Sequence, residues 1–514
     1  MKKSIFLSFL SGLFLSFSFS SFNLWQFGWC GFVPLFIALE NKSLRQSFIL
    51  AYLCGVVFWS LTVYWLIHVT LAGQIVLILY LAIYSAIFGC TFYLSRSFLS
   101  ASRLFFIPSA WVLLEYIRSY LFTGFPWALL GFSQYKNLPV IQIADITGAW
   151  GVSFLVMMVN VWIYQVIVRC RSINNLCDSA PGSRFLVLGK IGIKNYLFVL
   201  LFMAIALGYG YYRLNLTPGT QRLEPIKISV IQGNIPHDLT WNKQAAGFIL
   251  DSYKELTAEA AKGKPDLIIW PEASVPALWG QDDAEFSRVF SLAGRLKINL
   301  LVGAVSRFER KYFNSAIFVD KSGRPISVYN KLHLVPFGEY VPLKNIFPFL
   351  ETIAPIGDIE RGRDYTIFKQ PADFGVLICF EDLFPELSRQ LVKRGAKFLV
   401  NITNDAWYKE GSAPFQHLAA SVFRAVENRV HLARAANTGI SGFIDPFGRL
   451  LSVVRNAQGK EIFVQGYSSQ DIYLIPIKFT FYNRYGDLFV IFCALFGACA
   501  VIFNFSATKR LKNA

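Results

Sequence analysis

Gly375-Val376-Leu377-Ile378-Cys379-Phe380-Glu381-Asp382 places one thiol and two carboxylates immediately behind an apolar run. A short apolar run that ends in polar residues reads as a buried strand, with Cys379 at its exit. The chain has eight cysteines, and Cys379 is the only one between Ile226 and Pro476. A thiol without a partner cannot form an internal disulfide. The commoner fate of a free cysteine is to be a small buried hydrophobe. The alternative is a nucleophile aimed by the end of its strand.

Working outward, short apolar segments recur at Ile226–Gln232, Asp266–Trp270, Asn299–Val305, Ser315–Asp320, Ile326–Tyr329, Gly375–Phe380, Phe398–Ile402, Gly442–Asp445 and Glu461–Gln465. Amphipathic stretches at Lys243–Lys262, Ala284–Leu296, Glu386–Arg394 and Pro414–Glu427 separate some of them. Strands mixed with helices and hairpin-like pairs predict a layered α/β domain over residues 226–476. Two more of these strands end in polar residues: Leu267-Ile268-Ile269-Trp270-Pro271-Glu272 and Ser327-Val328-Tyr329-Asn330-Lys331. A thiol with a reference pKa of about 8.5 is mostly protonated at neutral pH. A nearby carboxylate takes its proton as general base, and an ammonium stabilises first the thiolate and then an oxyanion. Taken singly, Glu272 and Lys331 read as a surface ion pair. Together with Cys379, at three strand ends, they read as one catalytic site that needs no histidine.

The composition is that of a membrane protein. The chain has 514 residues, 54% of them hydrophobic and only 16% charged, where soluble domains carry about 25% charged residues. Apolar segments lie at Ser4–Phe22, Leu24–Leu39, Ser47–Val69, Ile75–Leu94, Leu104–Leu121, Gly148–Val168, Tyr196–Tyr212 and Leu488–Phe505. Each is about long enough to cross a hydrocarbon core of roughly 30 Å. This predicts a multi-pass α-helical membrane domain of about eight spans, seven within residues 1–215 and the eighth at 487–506, with a tail at 507–514. The net charge of +17 has its place in this scheme. Segments 1–3, 40–46, 95–103, 169–194 and 506–514 hold fourteen basic residues and two acidic ones, twelve of the excess charges. They form every second connection, so the positive-inside rule assigns them and both termini to the cytoplasm. The α/β domain then lies outside, and the basic balance reports topology, not a nucleic-acid surface. The Met1-Lys2-Lys3 start also resembles a signal peptide, but no small-residue cleavage site ends the apolar run, so an uncleaved first span is expected. The five histidines, at 68, 237, 333, 417 and 431, show no ligand spacing, and Cys170 and Cys177 have no second pair beside them, so no metal site is expected.

Three stretches then resemble the nitrilase superfamily, whose members carry a Glu-Lys-Cys triad on an αββα sandwich. They are Trp270-Pro271-Glu272, the long run from Tyr329-Asn330-Lys331 through Pro336-Phe337-Gly338-Glu339-Tyr340, and Ile378-Cys379-Phe380-Glu381. With eight spans around such a domain, the whole chain resembles the apolipoprotein N-acyltransferase family. Gln232-Gly233-Asn234-Ile235-Pro236 followed by Trp241, Asn401-Ile402-Thr403-Asn404-Asp405-Ala406-Trp407-Tyr408, and Gly124-Phe125-Pro126-Trp127 through Gln134 agree with it. Phe380 departs from it, standing where many members carry Tyr, so only a packing role is carried over.

The resemblance implies an acyltransferase of the bacterial inner membrane with its catalytic domain in the periplasm. It implies a phospholipid acyl donor, a diacylglyceryl-cysteine apolipoprotein as acceptor, a thioester on Cys379 and no cofactor. Glu339 and Glu381 are expected to support Lys331 and Cys379, and Trp241 to line the site. The apolar, Pro- and Gly-rich stretch after Lys331, with Phe347 and Phe349, reads as a lid that meets lipid. Trp407 and Trp127 are further candidates for substrate contact. Glu115 and Arg118, three apart in the fifth span, read as a pair. The rival readings are a membrane-anchored amidase using the same triad, and a transporter or scaffold carrying an inactive domain.

Overall fold

The computed structural model describes all residues except 20–23, 180–192, 217–224, 240–243, 343, 345–358, 475–477 and 514, and only the backbone of 172–179, 193–196 and 504–513. Two compact units emerge: Met1–Leu216 with Tyr485–Ala514, and Thr217–Arg484.

The second unit is built on two mixed sheets. Its strands among the described residues are β1 (Pro225–Gln232), β2 (Leu267–Ile269), β3 (Leu278–Trp279), β4 (Leu300–Phe308), β5 (Lys311–Val319), β6 (Pro325–Asn330), β7 (Ile367–Phe368), β8 (Phe374–Ile378), β9 (Phe398–Thr403), β10 (His431–Ala436), β11 (Gly442–Ile444), β12 (Leu450–Val453) and β13 (Gly466–Tyr473). One sheet has the order β13-β1-β2-β4-β5-β6, with β3 beside β4, and the other β12-β11-β10-β9-β8-β7. The centre of each is parallel: β1, β2 and β4 in the first, β8, β9 and β10 in the second. Antiparallel strands complete the edges. Parallel strands buried on both faces read as unbroken apolar runs. That is why Leu267-Ile268-Ile269 and Val376-Leu377-Ile378 are fully buried.

Helices cover the outer faces. Ala246–Ala261 and Asp283–Leu296 bury Ile249, Tyr253, Phe286 and Val289 against the first sheet. Tyr253 stacks on Trp270, whose indole N–H donates to Thr257 Oγ1 at 2.9 Å. Pro385–Lys393 and the almost wholly buried Ala413–Asn428 serve the second sheet. The result is a nitrilase-like α/β sandwich.

Two expectations about strands shift. The strand expected at Glu461–Gln465 runs instead over Gly466–Tyr473, pairing with β1 along its whole length. Its hydroxyl and amide side chains hide it from an apolar reading, and Ser469 meets Ser229 at 2.7 Å across the pair. β10 escaped notice because its central Arg434 is polar, yet that residue is buried.

β6 is antiparallel to β5, and β5 to β4, so β2, β4 and β6 all point one way. Their exits carry Glu272 and Lys331 to one end of the first sheet, where parallel sheets commonly place a site. Gly303 in β4 passes directly beneath Glu272. A Cβ there would stand 2.3 Å from the Pro271 carbonyl and 2.6 Å from Glu272 Cα. Gly303→Ala should therefore push Glu272 out of place. Overpacking of this kind costs about 1–3 kcal/mol. A lowered melting temperature with a larger loss of turnover is expected, and wild-type values for both would show that the close approach is unimportant.

In the first unit, four helical stretches among the described residues are long and apolar enough to cross a membrane: Leu44–Thr62, Leu71–Ser97, Ala144–Arg171 and Leu197–Asn215. Shorter apolar helical stretches lie at Trp25–Leu39 and Leu488–Phe503. The expected second span is not one straight helix. It is a 3₁₀ turn, Trp25–Trp29, followed by Val33–Leu39. Along Leu71–Leu94 the large apolar residues Ile75, Leu79, Ile83 and Ile87 form an exposed stripe at four-residue spacing, while Gln74, Ala82, Ala86 and Gly89 are buried. A stripe of large apolar residues left exposed along one side suits a lipid-facing helix, while Ala82, Ala86 and Gly89 let its other side pack closely. Tyr209 and Arg213 both reach Asp145, at 2.9 and 3.3 Å, and Trp150 donates to Asp487 at 2.9 Å.

Glu115 and Arg118 are buried, but their hydrogen bonds go to the loop that follows and not to each other. Glu115 Oε1 accepts from Leu130 N at 2.6 Å, and Arg118 donates to the carbonyls of Phe125 and Trp127 at 2.6 and 2.8 Å. The helical spacing suggested a pair; the folded loop supplied better-placed partners.

Candidate active site

At the exit of β2, Glu272 is almost buried and its carboxylate is tied on both sides. Oε1 accepts from Asn314 Nδ2 at 2.7 Å, and Oε2 from the Asn404 backbone N–H at 2.9 Å. Lys331 follows β6 and is 1% exposed, with its ammonium 2.9 Å from Glu339 Oε1 and 3.5 Å from Glu272 Oε1. Asn314 Nδ2 also donates to Glu339 Oε1 at 2.7 Å, so one amide and one ammonium clamp the two carboxylates together. Glu339 in turn accepts from Val335 N through its other oxygen, at 2.8 Å. Burial works against the charge on Lys331, but Glu339 and Glu272 more than offset it and hold the ammonium far above its ordinary range.

Cys379 leaves β8 at the first residue of the turn Cys379–Leu383, with φ at +52°. A non-glycine residue in the left-handed region is uncommon and is held there by its surroundings. Burial and the Glu272 carboxylate push the thiol pKa well up, and Lys331 pulls it partly back. The resting sulfur is therefore a thiol, not a preformed thiolate, and it lies in the field of both Glu272 and Lys331. Tyr408, half-buried, shares that field: burial, Cys379 and Asp405 raise its phenol.

Glu381 is fully buried and receives donors from both sheets. Its oxygens accept from Ile378 N at 2.7 Å, Leu332 N at 2.6 Å, His333 N at 3.0 Å and the Tyr329 hydroxyl at 2.9 Å. It fastens the cysteine strand to the lysine strand, while burial lifts its carboxyl pKa to about 7 against the pull of those donors. Phe380 packs on Phe384 and His333, with ring centres 5.2 and 6.0 Å away. Trp407 is 45% exposed, its ring 3.8 Å from that of His237. Trp127 belongs to the first unit, where it is buried against Trp65 and Phe125. Trp241, Phe347 and Phe349 lie outside the described residues. No group of three or more His, Cys, Asp and Glu side chains suited to a metal occurs among the described residues.

Residues 11–162 match the family model described as apolipoprotein N-acyltransferase N-terminal domain, and residues 227–474 match that described as carbon-nitrogen hydrolase. An apolipoprotein N-acyltransferase of Geobacter metallireducens is 37% identical over 97% of this chain and 95% of its own. The chain belongs to the apolipoprotein N-acyltransferase family. Another member, from Chlorobaculum tepidum, is 28% identical over 87% of this chain and 88% of its own. Among solved structures, an amidase from Nesterenkonia sp. is 21% identical, covering 50% of this chain and 94% of its own, with a TM-score of 0.38.

Within this family member, Asn314, Asn404 and His417 have places at or behind the site that the sequence gives no individual role. Asn314 sits inside the alternating strand β5, where nothing local marks it. Asn404 acts through its backbone. His417 lies on a helix 38 residues from the cysteine whose carbonyl it meets.

Two expectations follow. The rate at which a small alkylating reagent modifies Cys379 should climb with pH without a plateau by about pH 9, as a raised thiol pKa requires. A plateau near neutrality would mean a standing thiolate. Glu381→Gln would set an NH₂ against backbone donors in at least one position. An unsatisfied buried group costs about 1–3 kcal/mol, so both thermal stability and turnover should fall, and an unchanged melting temperature would argue against the fastening role.

Proposed function

We infer that this chain transfers an acyl group to the N-terminus of apolipoproteins, and that Glu272, Lys331 and Cys379 carry the chemistry. Membership of the family supports the activity. The single observation that supports the residue roles is the buried clamp of Lys331 between Glu272 and Glu339 beside a protonated thiol. Phospholipid is the acyl donor in this reading, and the α-amine of a diacylglyceryl-cysteine is the acceptor.

In the first half-reaction Cys379 Sγ attacks the ester carbonyl carbon, and its proton passes to Glu272. Lys331 stabilises the oxyanion that forms. Collapse breaks the C–O bond, Glu272 returns the proton to the departing alkoxide, and lysophospholipid leaves. In the second, the amine attacks the thioester carbonyl and gives its proton to Glu272. The C–S bond breaks and the thiol is restored. An α-amine has a reference pKa of about 7.7–8.0, so an appreciable fraction of it is already neutral and nucleophilic near neutral pH. A thioester is as reactive as the ester it replaces and the amide is more stable, so the sequence is ping-pong and draws on no cofactor. Glu339 orients Lys331, and Glu381 holds the cysteine turn.

The eight apolar segments are proposed as eight spans of a bacterial inner membrane, both termini being cytoplasmic and residues 226–476 periplasmic. Trp407 and the apolar stretch with Phe347 and Phe349 in the second unit are proposed to meet lipid, Trp127 in the first unit is proposed separately as a substrate contact, and Trp241 is proposed to line the active site. No nucleic acid enters this scheme.

Intact mass measurement of the purified chain with phospholipid tests the first half-reaction. The wild type should gain the mass of one acyl chain, and Cys379→Ala should not. Turnover by wild type with no adduct, even on rapid quenching without acceptor, would contradict the covalent route.

A further inference from the structure

Behind Cys379 lies a second cluster of charges that the reaction above does not use. His417, on the helix Ala413–Asn428, is 1% exposed. Its Nδ1 stands 3.0 Å from Asp405 Oδ1, and its Nε2 stands 2.9 Å from Asp382 Oδ1 and 3.2 Å from the Cys379 carbonyl oxygen. Arg434 from β10 reaches the same two carboxylates, Asp382 at 3.1 Å and Asp405 at 3.4 Å, and donates to Asn401 Oδ1 at 2.6 Å. Ser421, one turn along the helix, bonds Asp382 and lies 2.9 Å from Arg434. Asn401 closes the ring, its amide donating to the Cys379 carbonyl at 3.3 Å.

The charges in this ring balance with both carboxylates ionised if His417 carries a positive charge. Two carboxylates at 0% exposure need two cations, and Arg434 supplies one. Each ring nitrogen of His417 faces a carboxylate oxygen, which has no proton to give while ionised, so both nitrogens must donate. His417 is thus the second cation. We propose that His417, held as an imidazolium between Asp382 and Asp405, is a positioning residue that locks the left-handed backbone of Cys379 through its carbonyl. This inference rests on Cys379 being the nucleophile. An elbow released from this lock lets the sulfur drift from the ester carbonyl, and misplacement by about 1 Å costs roughly 10²-fold in rate.

The ring's electrostatics agree with the geometry. Burial works against the charge on His417, yet Asp382 and Asp405 outweigh it and Arg434 and lift its pKa to about 9. For Asp382 and Asp405, burial is overcome by His417 and Arg434, and both carboxyls are held below their ordinary range. With the pKa of His417 raised on folding, the lock is intact at neutral pH and is lost as pH rises through about 9.

The test follows the initial rate of acyl-adduct formation from phospholipid by rapid quench and intact mass, across pH 6.5 to 10, for the full chain in detergent. Wild type should show a fall in rate centred near pH 9. His417→Gln should form adduct about 10²-fold more slowly at pH 7.5, with phospholipid KM little changed and no fall near pH 9. An adduct forming at the wild-type rate, a loss confined to KM, or a slower variant that keeps the alkaline fall would each overturn the proposal. Absence of any adduct on folded wild type would instead remove the nucleophile reading on which it rests. Should His417→Gln not fold, nitrogen-15 histidine spectra of wild type decide the matter, with signals assigned by replacing the other four histidines one at a time. Two protonated ring nitrogens on His417 at pH 7.5 sustain the lock, and a neutral ring refutes it.

Discussion

A single ammonium, buried between two carboxylates, organises this site. Lys331 is 1% exposed, a position no lone cation can hold, because an unpaired buried charge costs many kcal/mol. Glu339 at 2.9 Å and Glu272 at 3.5 Å make the position tenable, and Asn314 ties the two acids to each other. Neither acid is a spectator. With one removed the ammonium loses part of what keeps it charged, and with Lys331 removed two carboxylates are left facing each other in a low-dielectric site. The same electrostatics hold the Cys379 thiol above its ordinary range, so in the proposed reaction its proton moves as the carbon–sulfur bond forms.

That clamp depends on two sheets holding it from opposite sides. The first sheet brings Glu272 and Lys331 out at one end, and the second brings Cys379 out at the end of β8. Glu381 ties them, accepting from Ile378 on the cysteine side and from Leu332 and His333 on the lysine side. Beneath Cys379, the ring of His417, Asp382, Arg434 and Asp405 fills what would otherwise be an apolar core. Buried polar networks of this sort add specificity of geometry more than stability. Here the geometry they specify is an elbow with φ at +52°.

Much of this was legible in the residues. Glu272 and Cys379 each follow an apolar run, which a parallel strand buried on both faces writes plainly, while Lys331 follows an alternating antiparallel edge strand and was legible through the long motif around it. Glu339 and Glu381 were legible through their short distance in sequence from Lys331 and Cys379. What stayed hidden was what only long-range pairing creates. Asn314 looks like any polar residue of an alternating strand until Glu272 and Glu339 converge on it. His417 looks like one residue of an amphipathic helix until the whole helix proves buried. β13 is an edge strand of serines and glutamine, with no apolar run to announce it. In the membrane unit, apolar length predicts spans but not their breaks, and the segment at Leu24–Leu39 divides into two short pieces. The i,i+3 spacing of Glu115 and Arg118 suggested a pair; the two charges do interact, but their hydrogen bonds go to the loop that follows.

The central claim is that Cys379 carries the acyl group between two lipids as a competent intermediate. It is tested most directly by isolating the acylated chain, free of phospholipid, and mixing it with a diacylglyceryl-cysteine peptide under single-turnover conditions. The acyl mass should leave Cys379 at the same rate as N-acylated peptide appears, in equal amount, and as fast as steady-state turnover demands. An adduct that persists while added phospholipid and peptide turn over around it would contradict the claim, as would one that is lost only to water.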